Sequence, residues 1–189
     1  MEGINLEDLK NEAFQNAVKH GWYDEPISWR GEMMLIVTEL GEVVNADRKE
    51  RWACRDMFEK NIETPQEDSD GHWKFCYETF IKDTVEDELA DCFIRILSFC
   101  GNRDINIMPY FFRDEMILQM HGYMQREKGM AEYMYSVLYT IMPGEYDDIM
   151  ISLVRLIALA RILNIDLFWY IKQKMKFNEL RPYKNGKKY

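Results

Sequence analysis

Apolar residues recur along this chain at the spacing of one helix face, and all five prolines fall between the periodic stretches. A proline inside a helix removes a hydrogen bond and clashes with the preceding turn, so Pro26, Pro65, Pro109, Pro143 and Pro182 read as punctuation between helices. Leu6, Leu9, Phe14 and Val18 predict a first helix. Met33, Val37, Leu40 and Val44 predict a second. Val85, Leu89, Cys92, Ile96 and Phe99 form a third stripe, and Val154, Ile157, Leu159 and Ile162 a late one. Gly21, Gly101 and Gly129 each follow a periodic stretch and are expected as C-terminal caps. Strand alternation is absent, so the expected fold class is all-α. The 189 residues suffice for one domain over 1–189. Residues 61–72, polar with Pro65 and Gly71, are expected as a loop.

Charge narrows the function classes. Acidic residues outnumber basic ones by 33 to 24, giving a formal net charge of −9. Such a chain repels a phosphate backbone, which argues against bulk nucleic acid as a partner. A small phosphorylated ligand stays open, because a cation can bridge two sets of negative groups. The start, Met1-Glu-Gly-Ile-Asn, does not read as a signal peptide. No apolar run approaches the ~20 residues of a membrane span. Cys54, Cys76, Cys92 and Cys100 form no C-x-x-C pair and read as reduced, buried thiols of a cytoplasmic protein.

Two acidic couples interrupt the apolar helices. The second helix carries Glu39-Leu-Gly-Glu42, and the third carries Glu88-Leu-Ala-Asp91. Carboxylates at i and i+3 share a helix face and repel one another. A hard cation with oxygen ligands compensates that repulsion, and Mg²⁺ takes a few carboxylates while keeping other positions for water or phosphate. A single E-x-x-E is ordinarily a solvated face, but two such couples on strongly apolar helices are more specific. Arg95, one turn past Asp91, is expected to form an i,i+4 salt bridge with it. A di-iron centre would need E-x-x-H couples, and none of His20, His72 and His121 follows a glutamate at that spacing. Zinc is equally unsupported.

The tail reverses the sign of the charge. Arg181, Lys184, Lys187 and Lys188 cluster around Pro182 and Gly186, which suits phosphate binding, with Asn178 offering an amide to a phosphate or sugar. There is also an internal echo. Asp87–Ser98 matches Asp147–Ala158, pairing Arg95 with Arg155 and Glu88 with Asp148, while Ile151 replaces Asp91. A duplicated helix pair and a coincidence of amphipathic stripes account for it equally well.

The E-x-x-E couple, the E-x-x-D couple and the closing Lys176-x-Asn-x-x-Arg-Pro-Tyr-x-x-Gly-Lys-Lys together resemble the MazG-like all-α nucleoside triphosphate pyrophosphohydrolases, which include dimeric dUTPases and dCTP-specific enzymes. The resemblance spans about residues 10–50, 80–107 and 160–189. It implies an antiparallel helical bundle with Mg²⁺ (Mn²⁺ as a substitute) held by Glu39, Glu42, Glu88 and Asp91. It also implies release of a nucleoside monophosphate and pyrophosphate, a housekeeping role in nucleotide pools, and a homo-oligomer, dimeric in the first instance. The chain departs from the pattern by an inserted segment near 51–80 and an extra helical stretch near 108–150. A degenerate second helix pair, as in dimeric dUTPases, would match the echo.

On this reading Glu42 is the expected proton acceptor, and Arg181 with the tail lysines neutralises the outer phosphates. Trp22 and Trp29 are candidates to stack on a base, although packing at a helix entry explains each of them individually. The competing reading is a non-catalytic nucleotide-binding or helical interaction protein that kept the fold.

Overall fold

The structure is a computed structural model that describes residues 4–63 and 68–186. Among these residues it is all-helical and contains no strand. The helices are α1 (Leu6–Lys19), α2 (Trp29–Arg48), α3 (Arg55–Ile62), α4 (Ser69–Phe80), α5 (Val85–Asn102), α6 (Asp114–Met124), α7 (Met130–Ile141), α8 (Tyr146–Ile162) and α9 (Leu167–Glu179). Short 3₁₀ turns lie at Pro109–Phe112 and Tyr183–Gly186. No described helix is long and apolar enough to cross a membrane.

Helix α5 is the centre of the molecule. Its apolar residues go nearly all the way round, and a helix of that kind must be covered on every side. Helices α1, α2, α8 and α9 cover it. Helix α2 runs antiparallel to α5: Glu32 at its start meets Asn102 at 2.7 Å and Arg103 at 2.6 Å, and Glu39 further along meets Arg95. Helix α9 is also antiparallel to α5, with Phe168 beside Phe93 and Lys174 beside Asp87. Caps set the helix starts, with Asn5, Ser28 and Thr84 accepting backbone amides of α1, α2 and α5.

The internal echo has a structural counterpart. Helix α8 packs on α6 and α7 as α5 packs on α1 and α2, and the two sets meet through α2·α7 and α5·α8. Helices α5 and α8 are both followed by a left-handed residue, Asp104 at φ 53° and Asn164 at φ 57°. The next amide then closes back onto the helix: Ile105 to Cys100 at 2.9 Å, and Ile165 to Ala160 at 2.7 Å. Arg95 donates to Glu39 on α2, and Arg155 donates to the Ser136 carbonyl on α7 at 2.8 Å. The segment 51–80 holds the α3–α4 hairpin, which lies outside this repeat.

Several expectations need correction. Of the three glycines expected as caps, only Gly21 takes the left-handed conformation, at φ +76°, just past α1. Gly101 lies inside α5, where a Cβ would collide with Phe14 of α1; it permits close helix approach. Gly129 precedes α7 as its N-cap. The expected loop at 61–72 is shorter than its polarity suggests: α3 runs to Ile62, and Asp68 caps α4 by accepting the Gly71 amide at 2.8 Å. Residues 64–67, the middle of that loop, lie outside the described residues. Cys54 is exposed, whereas the other three cysteines are buried.

The two environments of glycine predict opposite substitutions. Gly101→Ala should lower the unfolding free energy by about 1–3 kcal/mol through overpacking. Gly41, in α2 with open space where a Cβ would stand, should gain about 0.5–1 kcal/mol on mutation to Ala. Urea unfolding of the two variants checks both signs.

Candidate metal centre

Helices α2 and α5 lie antiparallel, so an i,i+3 couple on each can face the same gap. Glu39, Glu42 and Glu88 do so, with carboxylate oxygens within 4.8 Å of one another. Asp91 lines the same cavity, a hollow of about 410 Å³ walled by α1, α2, α5 and α9. Asn178 and Arg181 reach it from the end of α9 and beyond, and Trp22 closes one side.

Each acid meets a different environment. Glu39 is buried and accepts from Arg95 at 2.9 and 3.2 Å. Burial, reinforced by the charge of Asp91, pushes its pKa up to about 7 against the pull of Arg95. Arg95 therefore makes a bridge between helices rather than the expected contact with Asp91 along its own helix, because Lys174 of α9 occupies Asp91 at 3.2 Å. Burial acts to raise Asp91, but Lys174 and Arg95 outweigh it and hold that carboxyl below its ordinary value. Glu42 is the exposed member of the cluster. Glu88 is buried, its Oε2 has no hydrogen-bond partner, and burial pushes its pKa up to about 8 despite the charge of Lys174. A buried carboxylate oxygen with no donor is costly unless a cation or proton satisfies it.

The donor set fits a hard divalent ion. All candidate ligands are carboxylate oxygens, one of them orphaned, and neither histidine nor cysteine joins the cluster. Asp83 and Asp87 form a second acidic group around Glu88, but Asp87 is committed to protein donors.

No family model, curated protein or solved structure matches this chain.

The remaining candidates divide. Trp22 lines the cavity with the Arg95 guanidinium 5.4 Å from its ring centroid. It also borders a neighbouring, more apolar hollow of about 520 Å³ lined by Tyr23, Ile27, Leu35 and Phe99. Trp29 does not belong to either. Its ring packs edge-on against Phe99 at 4.8 Å and against Gly144, so it anchors the start of α2 in the core. Lys184 borders the second hollow, not the first, because its amide bonds to the His20 carbonyl at 2.9 Å and the tail folds back over Gly21. Lys187 and Lys188 lie outside the described residues.

Sequence reading missed Lys174, Asp87 and the rim cations Lys49, Arg51 and Lys82. One signal was present: Lys174, Asn178 and Arg181 recur along one helical face.

The unsatisfied glutamate gives a prediction for the cation-free chain. A carboxyl whose pKa rises on folding contributes stability that is fully present below pH 4.5 and is lost progressively as pH climbs to about 8. In chelator, Glu88→Gln should therefore raise the urea midpoint at pH 8, with the gain shrinking as pH falls towards 5. An unchanged or lowered midpoint at pH 8 would mean that Glu88 carries no such burden.

Proposed function

We propose that the chain is a divalent-cation-dependent hydrolase that cleaves a nucleoside triphosphate to the monophosphate and pyrophosphate. The observation that carries this reading is the meeting, in one cavity, of Glu39, Glu42 and Glu88 with Lys174 and Arg181. Anionic ligands for a cation face cationic ligands for an anion, which is what a cation–polyphosphate complex requires. The antiparallel α2–α5 pair and its α7–α8 counterpart without the acidic couples support a MazG-like bundle with a degenerate second half.

Glu39, Glu42 and Glu88 would hold Mg²⁺, or Mn²⁺ in its place, with Asp91 as a fourth carboxylate. When bound, such an ion neutralises phosphate oxygens and lowers the pKa of water. Glu42, exposed at the rim, accepts the proton of the attacking water. The water oxygen bonds to a phosphorus flanking the α–β bridge, the bridging P–O bond breaks, and its electron pair leaves with the departing group. Lys174 and Arg181 offset the charge that gathers on the phosphate oxygens. Asn178 presents a buried amide oxygen with no partner, an acceptor for a substrate hydroxyl. Trp22 and the apolar hollow beside it offer a stacking face for a base, with Lys184 at its edge.

The test is pyrophosphate and monophosphate release by the full chain with Mg²⁺, across standard and modified ribo- and deoxynucleoside triphosphates. At least one should be hydrolysed, with loss of turnover in chelator and recovery with Mn²⁺. Glu39→Gln and Glu88→Gln should each lower kcat by about a hundredfold or more. Tight nucleotide binding without pyrophosphate release from any of the panel would overturn the hydrolase reading and leave a binding protein.

A further inference from the structure

Lys174 is buried in a wall of the cavity, yet lysine is among the side chains least often buried. Its ammonium sits 2.9 Å from Asp87 and 3.2 Å from Asp91. An ammonium has three protons; two carboxylates account for two of them, and the third is available to a ligand oxygen in the cavity. Asp91 lines the cavity beside the acidic cluster, whereas Asp87 lies behind its wall. Asp87 is held from three directions: by the Tyr77 hydroxyl of α4, by the Asp83 amide at 3.0 Å in the α4–α5 turn, and by Lys174 of α9. Three donors from three segments leave a carboxylate no freedom to rotate.

Tyr77 is itself locked. It is fully buried, stacks on Phe177 of α9 at 4.5 Å and 17°, and stacks on Trp73 on its other side at 5.2 Å. Phe58 of α3 packs edge-on against Tyr77 and Trp169, which seats the α3–α4 hairpin on α9. The hairpin therefore reaches the cavity wall through Tyr77, by its hydroxyl on Asp87 and its ring on Phe177.

We infer that Tyr77 and Asp87 are positioning residues that fix the Lys174 ammonium against Asp91 at the cavity wall, and that the α3–α4 hairpin acts through Tyr77 as part of the site's scaffold rather than as a lid. The kinetic consequence rests on the hydrolase reading; the placement of the ammonium does not.

Tyr77→Phe removes the hydroxyl and keeps the ring stack. Two measurements separate positioning from packing. The first is the ¹⁵N–¹H signal of the Lys174 ammonium, whose protons exchange slowly when held by buried acceptors, assigned by its disappearance in Lys174→Arg. The second is pyrophosphate release. In Tyr77→Phe the ammonium signal should be lost, and kcat should fall by roughly tenfold to a hundredfold. KM should change by less than about twofold, since the loss falls on the reacting complex. Arg55→Ala removes the hairpin's contacts with Asp166 and the Trp169 ring without touching Tyr77 or the hydrogen-bonded chain, and should keep both the signal and kcat. The proposal is overturned if Tyr77→Phe retains the signal and kcat, or if Arg55→Ala loses them to the same extent. If the native chain releases pyrophosphate from no nucleotide, the hydrolase reading falls by itself, and the ammonium signal alone decides whether Tyr77 positions Lys174.

Discussion

Charge buried between α2, α5 and α9 is the constraint around which this molecule is arranged. An ionised side chain taken out of water is tolerated only with a partner in good geometry. Three acids at the start of α5, Glu86, Asp87 and Glu88, lie in its first turn, where the positive end of the helix favours them. Glu86 accepts the Ala53 amide at 2.9 Å, and Asp87 takes Lys174 and Tyr77. Glu39, across on α2, takes Arg95. Pairing stops at Glu88, whose second oxygen has none. The helices on every side of α5 exclude water from these pairs, so the apolar covering and the polar site are consequences of the same packing.

The repeat shows what the scaffold does without the acids. Ser136 on α7 stands against Arg155 as Glu39 stands against Arg95, so a neutral acceptor replaces a charged one. Ile151 replaces Asp91, and the exposed Tyr139 follows Ser136 at the spacing by which Glu42 follows Glu39. The helix–helix contact persists with no acidic cluster. Asp148 keeps an acid at the position of Glu88, but Glu42 and Asp91 have no acidic counterpart in α7 and α8, so the architecture does not require them.

Legibility in the sequence followed range. The stripes of α1, α2, α5 and α8 are local periodicities, and the i,i+3 acidic couples follow from helix geometry alone, so both could be read directly. Features set by neighbours could not. Gly101 resembles a cap because a glycine after an apolar stripe looks the same whether it ends the helix or admits Phe14. Asp68 resembled a loop residue although it starts α4. Arg95 was assigned to its own helix, since the competition of Lys174 for Asp91 spans distant parts of the chain. Trp29 and Trp22 are equivalent by sequence, and only the approach of Phe99 and Gly144 places one in the core. Lys174 escaped notice because a lysine on a helix normally lies in water, and nothing local announces Asp87 or Tyr77.

The protein divides the oxygens of its acids between two tasks. Glu39 accepts both Arg95 bonds on Oε1, and Asp91 meets Lys174 through Oδ2. In each case a basic side chain grips one oxygen, and no described protein donor bonds to the other. Glu88 has no such grip and is held by burial alone. A site built this way is pre-arranged at two acids and electrostatically unfinished at the third. Closing that deficit with another lysine would neutralise the cluster and fill the cavity; in the proposed hydrolase, leaving it open would make occupation by a small cation favourable, and the cation would carry an anionic ligand in with it. The cost of Glu88 in the cation-free chain and the cation affinity proposed for the site would have one origin, the absence of a protein donor at Oε2.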